Sequence, residues 1–174
     1  KIIKCADINE KASLKCAKQY KIKKLTVNQL LKDNEIDIIL NLTIPKAHYE
    51  IAKKALMNNK HVYSEKPLSI EFKNGKELVS LAKKKKLYIG NAPDTFLGGG
   101  IQKSRELLDK KMIGKINLGN AIFAYPGVQS YHPRPEPWFA KKEGGPVIDM
   151  GPYYITALVN LLGPAKEVSS SLMH

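Results

Sequence analysis

Acidic residues are scarce in this sequence: 16 aspartates and glutamates stand against 29 lysines and arginines in 174 residues, a formal charge of +13. Such an excess raises nucleic-acid binding as a function class. Arginine is nearly absent, however, with Arg105 and Arg134 as the two instances, and bidentate arginine is the usual reader of bases and phosphates. The lysines are spread along the chain, with short clusters at 21–24 and 83–86. A lysine-rich solvated surface is therefore expected, with no specific nucleic-acid partner. Cysteine is scarce too: Cys5 and Cys16 make no CxxC pair and have no spaced co-ligands, which argues against a zinc site and for free thiols in a reducing compartment. No apolar run approaches the roughly 20 residues of a membrane helix. The opening residues lack the layout of a signal peptide, so a cytoplasmic location is expected. They also lack a starting methionine, and a truncated start is expected.

What is present is the composition of a folded domain, 43% hydrophobic and 26% charged, with no internal repeat. The order of periodicities predicts alternating strands and helices. A short β-prone run, 1–6, ends at Asp7, and a helix follows over 9–20 with Ala12, Cys16 and Tyr20 on one face. A short helix over 27–32 leads to the apolar run 38–44, which has the length and character of a parallel strand covered on both faces. Pro45 stops that strand, and a helix over 46–59 carries Ala47, Ile51 and Ala55 on one stripe. The strand 61–64 then delivers Glu65-Lys66-Pro67 at its carboxyl end, where ligands bind in open α/β sheets. A helix over 72–86 and a strand over 87–90 ending at Asn91 complete what reads as parallel βαβ units.

From Ala92 the pattern changes. A loop over 93–100 precedes a helix over 101–111, a strand over 116–125, and a long proline-rich loop over 127–145 that holds His132, Arg134, Trp138 and Phe139. Loops of that length are functional or disordered, and the aromatic content favours a packed, ligand-facing one. An apolar helix ending at Gly163 and a strand over 167–173 close the chain.

Four stretches taken together are similar to the Gfo/Idh/MocA oxidoreductases: Asp7 after a strand, Thr43-Ile-Pro45 with His48, Glu65-Lys66-Pro67, and Gly144-Gly-Pro-Val-Ile-Asp-Met-Gly-Pro-Tyr153. The resemblance covers essentially the whole chain. It implies an α/β protein, with a Rossmann-like parallel sheet over 1–92 followed by an α+β substrate domain with an open sheet over 93–174, both incomplete. It also implies oxidation or reduction of a CH–OH group on a sugar, cyclitol or related small molecule by hydride transfer with NAD, NADP being the alternative. Homo-oligomerisation through the second domain's sheet is a further expectation of the resemblance.

The same resemblance assigns roles. Lys66 stabilises the developing alkoxide beside an acid–base group, Glu65 orients hydrogen bonds on the cofactor side, and Pro67 fixes the turn, with a cis peptide expected. Asp149 and Tyr153, four apart, share a face if one helix carries both. Tyr153 stands where many relatives have histidine, so the proton acceptor is less sharply defined. Cofactor contacts fall on Asp7, Thr43, Pro45, His48, Glu65, Lys66 and Asn91, and substrate contacts on Lys66, His132, Trp138, Asp149 and Tyr153.

Plainer readings stand beside these. Asp7 can cap the following helix, Thr43 and Pro45 can end a strand, His48 can sit at the surface of a helix start, Asn91 can close a strand, and His132 and Trp138 can pack the loop. His61 and His174 read as structural or solvent-facing. Asp7 favours NAD because a carboxylate repels a 2′-phosphate, a preference that Lys11 nearby weakens. A family member also carries a Gly-x-Gly-x-x-Gly turn after its first strand, and Gly98-Gly-Gly100 is no equivalent, having no βαβ unit with a downstream acid after it. Without that first strand, exposed strand edges and apolar helix faces are expected. The alternative to an enzyme is accordingly a non-catalytic remnant that binds no dinucleotide.

Overall fold

The computed structural model describes residues 1–124, 126–127 and 144–171 and separates into two compact units, Lys1–Asn91 and Ala92–His174. In the first unit five short strands alternate with four helices: β1 (Lys4–Cys5), α1 (Glu10–Tyr20), β2 (Lys23–Lys24), α2 (Val27–Lys32), β3 (Ile38–Asn41), α3 (Pro45–Met57), β4 (His61–Ser64), α4 (Phe72–Lys85) and β5 (Ile89–Asn91). All strand pairs are parallel. They form two sheets, β1–β2 and β3–β4–β5, the second in the register Ile38↔His61 and Val62↔Ile89.

Local chemistry sets the helix limits. Asn9 caps α1 by accepting the N–H of Ala12 at 3.2 Å, so the capping role considered for Asp7 belongs to its neighbour. Thr26 and Gln29 form a reciprocal capping box on α2. Pro45 occupies the first turn of α3, where its missing N–H costs nothing, and α4 ends on three lysines that suit the negative end of its dipole.

The core of this unit lies between the β3–β4–β5 sheet and helices α2, α3 and α4, and consists of Leu31, Ile36, Ile39, Ala52, Ala55, Leu56, Val62, Leu78 and Ala82. Leu56 and Leu78 are fully buried, each stabilising the unit by roughly 1.5–3 kcal/mol. Three details correct the expected pattern. On α1 the buried residues are Ser13 and Ala17, with Tyr20 65% exposed; the small side chains let the helix lie close to β1, where the Cys5 thiol reaches the carbonyl of Ser13. On α3 the inward face is His48, Ala52, Ala55 and Leu56. On β3 only one face is covered: Ile39 and Asn41 are buried, whereas Ile38 and Leu40 are 60% and 47% exposed. Burial pushes the Cys5 thiol up, with Cys16 adding to the shift, and both cysteines are free.

In the second unit a 3-10 turn (Asp94–Leu97) leads into α5 (Gly99–Asp109), followed by α6 (Gly145–Asp149) and α7 (Gly151–Leu162). Arg105 on α5 ties the unit together. Its guanidinium donates to the carbonyls of Asn160 and Leu161 at the end of α7, both at 3.1 Å, and to Asp109. Tyr154 packs its ring on Phe123 at 5.6 Å. The strands expected at 116–125 and 167–173 are not formed among the described residues, none of which lies in a strand in this unit. An extended run becomes a strand only when a neighbour takes its backbone hydrogen bonds, and among the described residues of this unit no such ladder is present.

Candidate functional site

The carboxyl ends of β3, β4 and β5 converge on a buried polar network. β3 ends on Asn41 and β4 on Ser64, both inward-facing and almost completely buried. The Asn41 amide donates to Ser64 Oγ at 3.2 Å and to the carbonyl of His48 at 3.1 Å, while its oxygen accepts the Thr43 hydroxyl at 2.8 Å. One side chain thus joins the ends of two strands to the start of α3. Neither Asn41 nor Ser64 was singled out by pattern: a lone asparagine in an apolar run and a serine at a strand end carry no motif. The available signal was period, since Asn41 falls on the inward alternation set by Ile39.

His48, expected either as a cofactor contact or as a surface residue, is fully buried. Its Nδ1 lies 2.6 Å from the carbonyl of Pro67 and its Nε2 lies 2.7 Å from the carbonyl of Thr43. Both ring nitrogens are therefore committed to backbone. The ring bridges the loop after β3 and the loop after β4.

That second loop carries the Glu-Lys-Pro stretch. Glu65 continues the sheet, its N–H donating to the carbonyl of Asn41 at 2.9 Å, and its Oε2 accepts the N–H of Lys66 at 2.9 Å. The Lys66–Pro67 peptide is cis, as expected. Asn91, at the end of β5, donates its amide to the carbonyls of Ser64 and Glu65 at 3.0 and 2.9 Å. Its side chain fastens the end of β4. His48, Glu65, Lys66 and Asn91 thus meet at one loop, Thr43 is joined to it through the His48 ring, and Pro45 opens the helix that carries His48. The backbone on either side of Lys66 is held by hydrogen bonds from three elements.

Asp7 lies beyond β1, on the other sheet, exposed, with Oδ1 accepting the N–H of Asn9 at 2.7 Å. An exposed carboxylate at the carboxyl end of a parallel strand has the acceptor chemistry that a ribose diol requires, so the residues present fit the adenosine end of a dinucleotide. Among the described residues no glycine turn joins a strand to a helix; Gly98-Gly-Gly100 follows the 3-10 turn and opens α5.

Asp149 and Tyr153 belong to the second unit, and the single helix expected to carry both is broken between them. Met150 ends α6 and precedes α7, because Pro152 has no N–H to offer the carbonyl of Ile148. A spacing of four therefore does not by itself place the two side chains on one helical face. His132 and Trp138 lie outside the described residues.

Known proteins match this chain over most of its length. Residues 1–92 match the family described as "Oxidoreductase family, NAD-binding Rossmann fold", and residues 101–174 match "GFO/IDH/MocA C-terminal domain". The trans-1,2-dihydrobenzene-1,2-diol dehydrogenase of Xenopus tropicalis is 28% identical over 84% of this chain and 44% of its own length. The D-xylose dehydrogenase of Paenarthrobacter nicotinovorans is 26% identical over 93% of this chain and 43% of its own length. Among solved structures, the NAD binding oxidoreductase of Klebsiella pneumoniae superposes with a TM-score of 0.79 at 20% identity, over 93% of this chain and 44% of that one. The chain spans less than half the length of these relatives. By its match through both regions, the chain belongs to the Gfo/Idh/MocA oxidoreductase family.

Proposed function

We propose that this chain serves an NAD-linked oxidoreductase acting on a CH–OH group of a sugar, cyclitol or related diol. The observation that carries this reading is Lys66 on a loop at the carboxyl end of the central strand of a parallel sheet, its neighbouring backbone held by Asn91 and His48. Ligands of open α/β sheets bind at such strand ends. The substrate class follows the two curated relatives, one named for a trans-diol and the other for a pentose.

When bound, the nicotinamide supplies the hydride acceptor. The work of the protein is to orient the alcohol and manage its proton. In this reading the Lys66 ammonium stabilises the alkoxide as it develops, Tyr153 with Asp149 receives and relays the hydroxyl proton, and Asp7 holds the adenosine ribose and disfavours a 2′-phosphate. His132 and Trp138 are the proposed substrate contacts of the long loop.

The test uses the product of the full reading frame. Reduction of NAD and NADP is followed by absorbance across a panel of pentoses, hexoses, cyclitols and trans-diols, and nucleotide affinity is measured separately by calorimetry. Turnover with NAD on at least one member is expected. Asp7→Asn should narrow the preference for NAD over NADP. Absence of binding by either nucleotide would overturn the reading.

A further inference from the structure

We infer that Asn91 is a positioning residue for Lys66, its side-chain amide holding the peptide that enters the lysine, and not a contact of the dinucleotide. The amide nitrogen lies 3.0 Å from the carbonyl oxygen of Ser64 and 2.9 Å from that of Glu65. A carbonyl can only accept, so the atom of Asn91 that meets both must be the nitrogen, and its two N–H bonds supply one donor to each. Both distances are those of ordinary N–H···O bonds. The donors of this side chain are therefore spent on the loop.

Closing a strand would need less. Asn91 is the last residue of β5, in register with Ser64, the last of β4, and a bond to the Ser64 carbonyl would suffice to finish that pairing. The second bond reaches past the strand end to the Glu65 carbonyl, which belongs to the peptide unit between Glu65 and Lys66. The N–H of that same unit donates to Glu65 Oε2 at 2.9 Å. A peptide unit is planar, so holding its oxygen and its N–H together fixes the plane from which the Lys66 side chain departs. Behind it the Glu65 N–H is held by the carbonyl of Asn41 at 2.9 Å, and beyond Lys66 the Pro67 carbonyl lies 2.6 Å from Nδ1 of His48. Among these anchors Asn91 is the one side chain from another element on the entering peptide. The long lysine side chain magnifies any rotation of that plane at its ammonium.

The chemical work of Lys66 rests on the proposed function, whereas the clamp does not, and the experiment separates the two. In the 15N-labelled product of the full reading frame, both carboxamide protons of Asn91 should exchange at least about tenfold more slowly than those of a free asparagine. In Asn91→Ala, hydrogen exchange of the segment 64–68, corrected for intrinsic rates, should rise by at least about tenfold while α4 keeps its protection. The kcat of that variant should fall on the order of 10- to 100-fold, the cost of a misplaced catalytic group, with nucleotide affinity by calorimetry within about threefold. In a Lys66→Ala background the same substitution should lower the residual kcat by less than about twofold, because a residue that acts through the lysine has nothing left to position. Rapidly exchanging carboxamide protons, or unchanged exchange at 64–68 with α4 intact, would overturn the clamp. Loss of nucleotide affinity in step with kcat, an unchanged kcat, or an equal loss of kcat in both backgrounds would overturn the positioning role. If the wild type turns over no member of the panel, it is the proposed function that fails, and the exchange measurements decide the clamp by themselves. If Asn91→Ala does not fold, the carboxamide protons of the wild type decide it.

Discussion

A fully buried asparagine persists only where its amide is satisfied, and Asn41 serves Ser64, His48 and Thr43 at once. Replacing it with leucine keeps the volume and removes every one of those partners. Each buried polar group left unpaired costs about 1–3 kcal/mol. Asn41→Leu should therefore destabilise the first unit by at least about 2 kcal/mol, read as a lower urea midpoint at unchanged slope. A stability equal to wild type would mean that the network adds nothing beyond its volume. Lys66 lies on the same loop and differs in kind, because its proposed work is chemical. Lys66→Ala should lower kcat by on the order of 10²–10⁴ with nucleotide affinity within about threefold. Unchanged turnover would remove the lysine from the mechanism.

Strands β4 and β5 show how one element depends on a residue with no side chain. Tyr63 pairs with Gly90, and a β-carbon added at Gly90 would lie 2.8 Å from Tyr63 Cδ2. Because that ring is 39% exposed, it can swing partly aside. Gly90→Ala should then cost about 1–2 kcal/mol, within the usual range for overpacking. In a Tyr63→Thr background the same change should cost little, a coupling that a double-mutant cycle on urea midpoints measures directly. Equal costs in both backgrounds would place the strain elsewhere. The parallel strands and their helices were legible in the sequence because apolar runs, caps and Pro45 all pointed the same way, and Glu65-Lys66-Pro67 was legible as a motif. The bonds that hold that motif were not. Asn91 and His48 act through backbone carbonyls, which leave no trace in composition, and Asn41 differs from its apolar neighbours only in which face it presents. The two-residue strand β2 was invisible for another reason: Lys23 and Lys24 pair through the main chain, with no apolar side chain to mark them. The break between α6 and α7 was written in Gly151-Pro152, but an apolar run on both sides concealed it.

The charge of the whole molecule governs its response to acid. Glu10, Asp33, Glu77, Glu106 and Asp109 are each held below the usual carboxylate range, chiefly by hydrogen bonds from Lys24, Lys4, Lys53, Lys103 and Arg105 respectively. A carboxylate with a depressed folded pKa contributes its stability above the unfolded value, near about 4, and loses it as pH falls through the folded value. The raised cations Lys4, Lys53 and Arg105 contribute in full below their unfolded values and lose their contribution only at strongly alkaline pH. Both sets therefore act together across the neutral range. Below about pH 4 the carboxylate contributions fade while repulsion grows, because neutralising 16 carboxylates leaves 29 lysines and arginines unopposed. The melting temperature should hold between about pH 5 and 8 and fall steeply from pH 4.5 to 3. Added sodium chloride should recover part of the loss at pH 3, since screening weakens repulsion among exposed lysines. Glu77→Gln removes one of the paired carboxylates, between α4 and Lys53 of α3, and should reduce the acid-induced drop. A melting temperature that stayed flat to pH 3, or fell further when salt was added there, would show that neither the pairs nor the excess charge controls acid stability.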